Sequence, residues 1–340
     1  MVRVLAAAII AMIISILLGP RFIAFLRRNE FGQPIREEGP EHHVVKQGTP
    51  VMGGVLVMIS ASAGFLAMSR YTLPALTVFG VALSCAAIGF ADDFIKLTHR
   101  RSLGLAGRWK LLLLACVTVG IGFAVHHEHF RTAIYLPVAD VRPNLWWIWY
   151  VLIFLMLAGA ANGVNLTDGI DGLAAGTGII ALVSFTAIEM LSYIRTGSGD
   201  PKSLDLAILG AALVGALIGF LWFNAFPAEV FMGDTGSMGI GGALGAFAIF
   251  SKTEVLLLVV GGIFLLEALS VILQVATFKL WGKRVFLMAP IHHHFEMKAW
   301  SETKIMVRFW IVAAILGAAA FAIYYQYVFD FHPEYLHHNP

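Results

Sequence analysis

Two adjacent carboxylates, Asp92 and Asp93, stand in GFADDFIKLTHRRSLGLAGRWK with Lys96 and Lys110 close behind them. On a helix, neighbouring side chains diverge by about 100°. One carboxylate can therefore face a site while the other takes a different partner. Lys96 is one turn further on, so the spacing predicts that it faces the same site. Paired carboxylates suit metal binding or proton transfer at a phosphate. Basic groups beside them are what an anionic, metal-bridged phosphate requires. The bland alternatives are a solvated helix end for the acids and a membrane-surface anchor for Arg100 and Arg101.

Three further segments carry similar chemistry. NGVNLTDGIDGL, residues 162–173, reads as a polar, glycine-rich loop between two long apolar runs, offering Asn165, Asp168 and Asp171. Charged residues beside a membrane core are costly and usually functional. These two aspartates have no lysine or arginine near them in sequence, so a metal, a substrate or basic groups from other loops must partner them. NAFPAEVFMGDTGS, residues 224–237, offers Asn224, Phe231 and Asp234. Asp234 is placed either to cap the following helix or to hold Mg²⁺ through one carboxylate. Phe231 is either a platform for a base or an interface anchor. PIHHHFE, residues 290–296, presents His292, His293 and His294. Consecutive side chains diverge, and no His/Cys/Glu spacing completes a zinc site. Hydrogen bonding to phosphate fits the nearby acids better. Glu267 and Gln274, seven apart on one helix face, read first as packing hydrogen bonds and second as groove lining.

The elements that must position these groups are membrane spans. Charged residues make up 13% of the 340-residue chain and net charge is only +2; the charged share is about half that of a soluble protein. Apolar runs near the ~20 residues needed to cross a bilayer recur throughout. The hydropathy predicts an all-α, single polytopic domain over 1–340 with about ten spans. They fall near 3–26, 51–69, 73–91, 109–127, 145–161, 172–191, 204–223, 236–251, 254–277 and 306–329. The first is read as a retained span because it lacks a small-residue cleavage site. The eighth, short and glycine-rich, should pack closely. By the positive-inside rule, loops after odd-numbered spans are cytoplasmic: they hold about fourteen Lys and Arg against about seven on the other side. Every polar motif falls in that same set of loops. Cys85 and Cys116 lie in apolar runs and read as packing residues. No Walker A loop and no GxSxG occurs, and no basic soluble surface suggests nucleic acid.

Taken together, ADDFIK, NLTDGIDGLA, FMGDTGS and PIHHHFE, in that order, resemble the polyprenyl-phosphate N-acetylhexosamine-1-phosphate transferase superfamily. The likeness runs from about Lys46 to Glu296. PIHHHFE is similar to the bacterial branch that makes lipid I rather than to relatives that use N-acetylglucosamine phosphate. The resemblance implies ten helices with both termini periplasmic, in the inner membrane. It implies UDP-N-acetylmuramoyl-pentapeptide and undecaprenyl phosphate as substrates, Mg²⁺ as cofactor and a homodimer. It assigns Mg²⁺ to Asp234 and makes Asp92 a candidate base, with Asp93 beside it. It places Lys46, Asn165, Asp168, Asp171, Asn224, Phe231, His292 and His293 around the nucleotide, with His294 in the same motif. It sets Lys96 and Lys110 near the phosphates. The chain departs from the family pattern at Val51, usually Thr, and at Leu103, usually basic. The implied reaction is phosphoryl transfer, either by direct attack of the lipid phosphate or through a phospho-aspartate. The competing readings are a UDP-N-acetylglucosamine transferase, a secondary transporter and a catalytically dead scaffold; transporters keep ionisable groups near the bilayer midplane, not at span ends, and the intact acids and histidines argue against a scaffold.

Overall fold

The computed structural model describes residues 1–29, 48–99, 104–130, 132–136, 141–197 and 199–326. Lys46, Arg100, Arg101, Leu103, His337 and His338 lie outside them. The described residues form twelve helices, in order: α1 Val2–Arg28, α2 Gly54–Met68, α3 Leu73–Thr98, α4 Gly107–His127, α5 Ile148–Thr167, α6 Leu173–Arg195, α7 Pro201–Asn224, α8 Gly233–Phe250, α9 Leu257–Val260, α10 Gly262–Trp281, α11 Ile291–Glu296 and α12 Glu302–Gln326. Among the described residues β structure is limited to two isolated antiparallel bridges, Ala133 with Asn144 and Leu136 with Val141, between α4 and α5. Among the described residues eight helices are long and apolar enough to cross a membrane, α10 among them; α2 and α8 lie at the other two expected spans.

Burial sorts the helices into layers. α1 buries one stripe, Val4, Ala7, Ala11, Ser15, Gly19, Ile23 and Leu26, while Leu5, Ile9, Ile13 and Leu17 point outward. Its outer face is as apolar as its inner one, which suits a lipid solvent. α7 and α8 form the centre: nearly every residue of α8 from Thr235 to Phe250 is buried. Its glycines allow this. A Cβ at Gly241 would lie 2.4 Å from the Ala160 carbonyl of α5, and one at Gly242 2.6 Å from Cys85 Sγ of α3. The expected close packing of this helix is therefore present, and Cys85 is a packing residue. Phe185, Phe220, Phe247 and Trp149 fill the remaining core.

Three boundaries differ from the hydropathy reading. The 162–173 segment is helical through Thr167, because Asn162 and Thr167 bond back to the carbonyls of Ala158 and Gly163 and their polarity is absorbed within the helix. The turn proper is 168–172. PIHHHFE forms a short helix rather than an open loop. The ninth span breaks at Gly261 between α9 and α10, where two consecutive glycines weaken helix propensity.

Candidate active site

The C-terminal turns of α3, α5 and α7 meet the N-terminal turns of α4, α6, α8 and α12 at one end of the bundle. Asp92 and Asp93 are both buried, and they diverge as the helical geometry predicts. Asp92 faces the basic groups. Lys96 Nζ lies 2.6 Å from Asp92 Oδ2 and 3.0 Å from Asp234 Oδ1. Lys110 Nζ lies 3.0 Å from Asp92 Oδ1 and 2.7 Å from Asp234 Oδ2. The four side chains close an alternating ring that joins α3, α4 and α8. The Leu105 amide adds a 2.6 Å hydrogen bond to Asp92 Oδ1.

Asp93 turns the other way, to the start of α8. It accepts from the amides of Asp234 (3.1 Å) and Thr235 (2.9 Å) and from the Thr235 hydroxyl (2.7 Å). The preceding amide, of Gly233, donates to Asp168 Oδ2 at 3.1 Å. Gly233 has φ +74°, a backbone state open to glycine at little cost, and this bend aims three successive N–H groups at two carboxylates. Acids are favoured at the positive end of a helix dipole. Burial first, then the charges of Asp234 and Asp93, pushes Asp168 up to about 7. Val51, the departure from the family pattern, lies against this bend: a Cβ on Gly233 would meet its Cγ1 at 2.9 Å.

The remaining candidates form a second tier. Asn224 accepts from the Gly172 amide (3.1 Å) and donates to the Val230 carbonyl (2.9 Å), tying the 168–172 turn to the 225–232 loop. Asp171 accepts from the Ala228 amide at 3.0 Å. Asn165 donates to Ser237 Oγ at 3.0 Å. Phe231 is half-buried; its backbone pairs with Pro50 and Gly53, fixing the 48–54 segment beside the site. On α11, His292 is buried against Gly169, where a Cβ would lie 2.4 Å from its Nε2, and its Nδ1 is 3.1 Å from Glu267 Oε1 of α10. His293 pairs with Glu296. His294 faces outward, where the Leu287 amide donates to its Nδ1 at 3.1 Å. Phe295 stacks on Trp300 at 4.7 Å, and Ile170, Leu173 and Ile305 pack beside them, locking α11 and the turn onto α12.

Three contributors were not singled out from sequence: Thr235, Ser237 and the glycines that admit α8. A Cβ at Gly89 would sit 2.0 Å from the Asp234 carbonyl, and one at Gly54 2.0 Å from the Gly236 amide. The readable signal was there, a glycine in each of IGFADD, PVMGG and FMGDTGS.

The arrangement fits a hard divalent cation. Asp92, Asp93 and Asp234 each offer a carboxylate oxygen, all within 4.8 Å of one another, and oxygen donors of this kind suit Mg²⁺. Five aspartates face two lysines here, an acidic excess that a cation would offset. His292, His293 and Glu296 form a second such group, but the buried His292 Nδ1 is already engaged by Glu267.

Residues 75–252 match the model of glycosyl transferase family 4. The chain is also similar to curated proteins named phospho-N-acetylmuramoyl-pentapeptide-transferase. It is 45% identical to that of Rubrobacter xylanophilus over 97% of this chain and 99% of the relative. It is 44% identical to that of Bacillus pumilus and 43% identical to that of Bacillus subtilis, each over 92% of this chain and 96% of the relative.

Proposed function

The chain belongs to glycosyl transferase family 4 and, within it, to the phospho-N-acetylmuramoyl-pentapeptide-transferases, and from that membership we propose how its residues carry the reaction. The protein transfers phospho-N-acetylmuramoyl-pentapeptide from its UDP derivative to undecaprenyl phosphate, giving lipid I and UMP. The observation that carries the mechanism is the closed ring of Asp92, Lys96, Asp234 and Lys110.

The electrostatic problem is an anionic phosphate attacking an anionic diphosphate. Asp234, with Asp92 and Asp93 nearby, would hold Mg²⁺, which would supply positive charge against the diphosphate. Lys96 and Lys110 supply the rest, as preorganised cations at the point where charge moves. Both Asp92 oxygens are engaged by these lysines. Asp92 therefore orients the cations; a phosphate monoester, with a second pKa near ~6, is already largely ionised and needs no strong base. Asp93 and Asp168 hold the first turn of α8 in place, so that Asp234 projects into the ring. The lipid phosphate attacks the sugar-side phosphorus directly and UMP leaves. The 168–172 turn, the 225–232 loop and α11 receive the nucleotide.

With α2 and α8 added to the eight long helices, the reading is of ten spans, with both termini on the periplasmic face of the bacterial inner membrane. Exposed Trp109, Trp222 and Trp281 at the active-site end, and Trp146 and Trp147 at the other, support two interfacial belts. The enzyme works as a homodimer. UMP release from UDP-N-acetylmuramoyl-pentapeptide, but not from UDP-N-acetylglucosamine, tests the donor assignment; the reverse preference would overturn it.

A further inference from the structure

Glu267 is a fully enclosed acid that the mechanism above leaves unused. It lies in α10, within an apolar helix, and its side chain is fully buried. An ionisable residue in such a position is functional by default, with its partner to be named. Its partner is His292, also buried, whose Nδ1 lies 3.1 Å from Glu267 Oε1. The far nitrogen, His292 Nε2, has no hydrogen-bond partner among the described residues. It is aimed at Gly169, the one residue type that leaves room above it. Gly169 stands between Asp168, which holds the amide of Gly233, and Asp171, which holds the 225–232 loop.

The two ring nitrogens of a histidine are not equivalent: the partner of one decides what the other can do. A carboxylate at Nδ1 selects the Nδ1–H tautomer and leaves Nε2 with a lone pair. The same second-layer device orients histidines in metal sites and in the serine-protease triad, where the wrong tautomer costs about 10⁴ in rate.

We propose that Glu267 is a positioning residue that fixes His292 as the Nδ1–H tautomer and so presents Nε2, under the Gly169 turn, as an acceptor for an N–H or O–H group of the nucleotide-sugar donor. This rests on the donor reading given above. It explains why a costly carboxylate is kept in α10 and why the turn carries a glycine at 169. It also separates the three histidines: His292 is held from behind by a second helix, His293 is held within α11 by Glu296, and His294 looks outward.

The test has two independent readouts. In ¹⁵N-histidine-labelled protein, with His292→Gln used to assign the resonance, His292 should carry its proton on Nδ1, and Glu267→Gln should redistribute it between the two nitrogens. This measurement needs no turnover, so it stands even if the donor assignment fails. In steady-state assays Glu267→Gln should raise KM for the nucleotide-sugar donor about tenfold or more and leave KM for the lipid phosphate within about twofold. In a His292→Ala background the same change should have almost no further effect. A proton on Nε2 in the wild type would overturn the proposal. So would a Glu267→Gln effect that multiplies in full on top of His292→Ala, or one that falls equally on both substrates.

Discussion

At the residue scale the account turns on which oxygens are already engaged. Asp92 meets both lysines, whereas Asp93 is spent on the amides of Asp234 and Thr235. The two should therefore fail differently. Asp92→Asn weakens the hold on two cations that Asp234 still pairs, and should cut turnover by about a hundredfold or more with a smaller loss of thermal stability than Asp93→Asn. Asp93→Asn breaks the start of α8 and should lower both. Equal melting temperatures for the two variants would contradict this division. No ³²P should be transferred from β-labelled donor to the protein in the absence of lipid phosphate; a labelled aspartate would replace direct attack by a covalent route. Asp168 adds a pH signature. The folded protein holds its proton up to about pH 7, against the usual 3.8. Ionisation therefore costs stability progressively between those values, and by a constant amount above them. Asp168→Asn should raise the melting temperature, in detergent without divalent cations, more at pH 8 than at pH 5. An equal gain at both would sink the argument.

At the element scale, function depends on how closely three helices approach the first turn of α8. Gly89→Ala places a Cβ 2.0 Å from the Asp234 carbonyl. Backbone meets backbone there, so overpacking should cost toward the upper end of the usual ~1–3 kcal/mol and displace Asp234 from the ring. The expected result is a lower melting temperature with nearly complete loss of activity; a fully active Gly89→Ala enzyme would show that the approach is not required. Much of this level was legible in the sequence. Apolar length gave the helices, and the motifs gave Asp92, Lys96, Lys110 and Asp234 because charge beside a membrane core needs a partner. Hydropathy did not give the helical state of 162–167 or of 291–296. Polar side chains there bond within their own helix or to Ser237, Glu267 and the Leu287 amide, contacts that an apolarity pattern does not register. The pairing of Glu267 with His292 joins residues 25 apart across two helices, so only the fold exposes it.

At the scale of the whole molecule, the polar groups divide between two ends. The ring, the 168–172 turn and α11 share one. Asp205 with Thr72, and Lys202 with Glu128, mark the other. On the proposed orientation, soluble nucleotide reaches the first end from the cytoplasm while the lipid phosphate arrives within the bilayer, which would account for phosphate chemistry at the rim of a membrane fold. In a variant lacking Cys85 and Cys116, a cysteine at Ser301 should be shielded from a membrane-impermeant thiol reagent added outside intact cells, and one at Thr196 should react. The opposite pattern would invert the topology. The central claim is that the ring of two aspartates and two lysines is where phosphoryl transfer occurs. The most direct test is UMP release by purified protein supplied with UDP-N-acetylmuramoyl-pentapeptide, undecaprenyl phosphate and Mg²⁺, comparing wild type with Asp234→Asn and Lys110→Ala. The account predicts turnover that EDTA abolishes and excess Mg²⁺ restores, and that either substitution reduces by about a hundredfold or more. Turnover unaffected by EDTA and by both substitutions, in protein shown to be folded, would place the chemistry elsewhere.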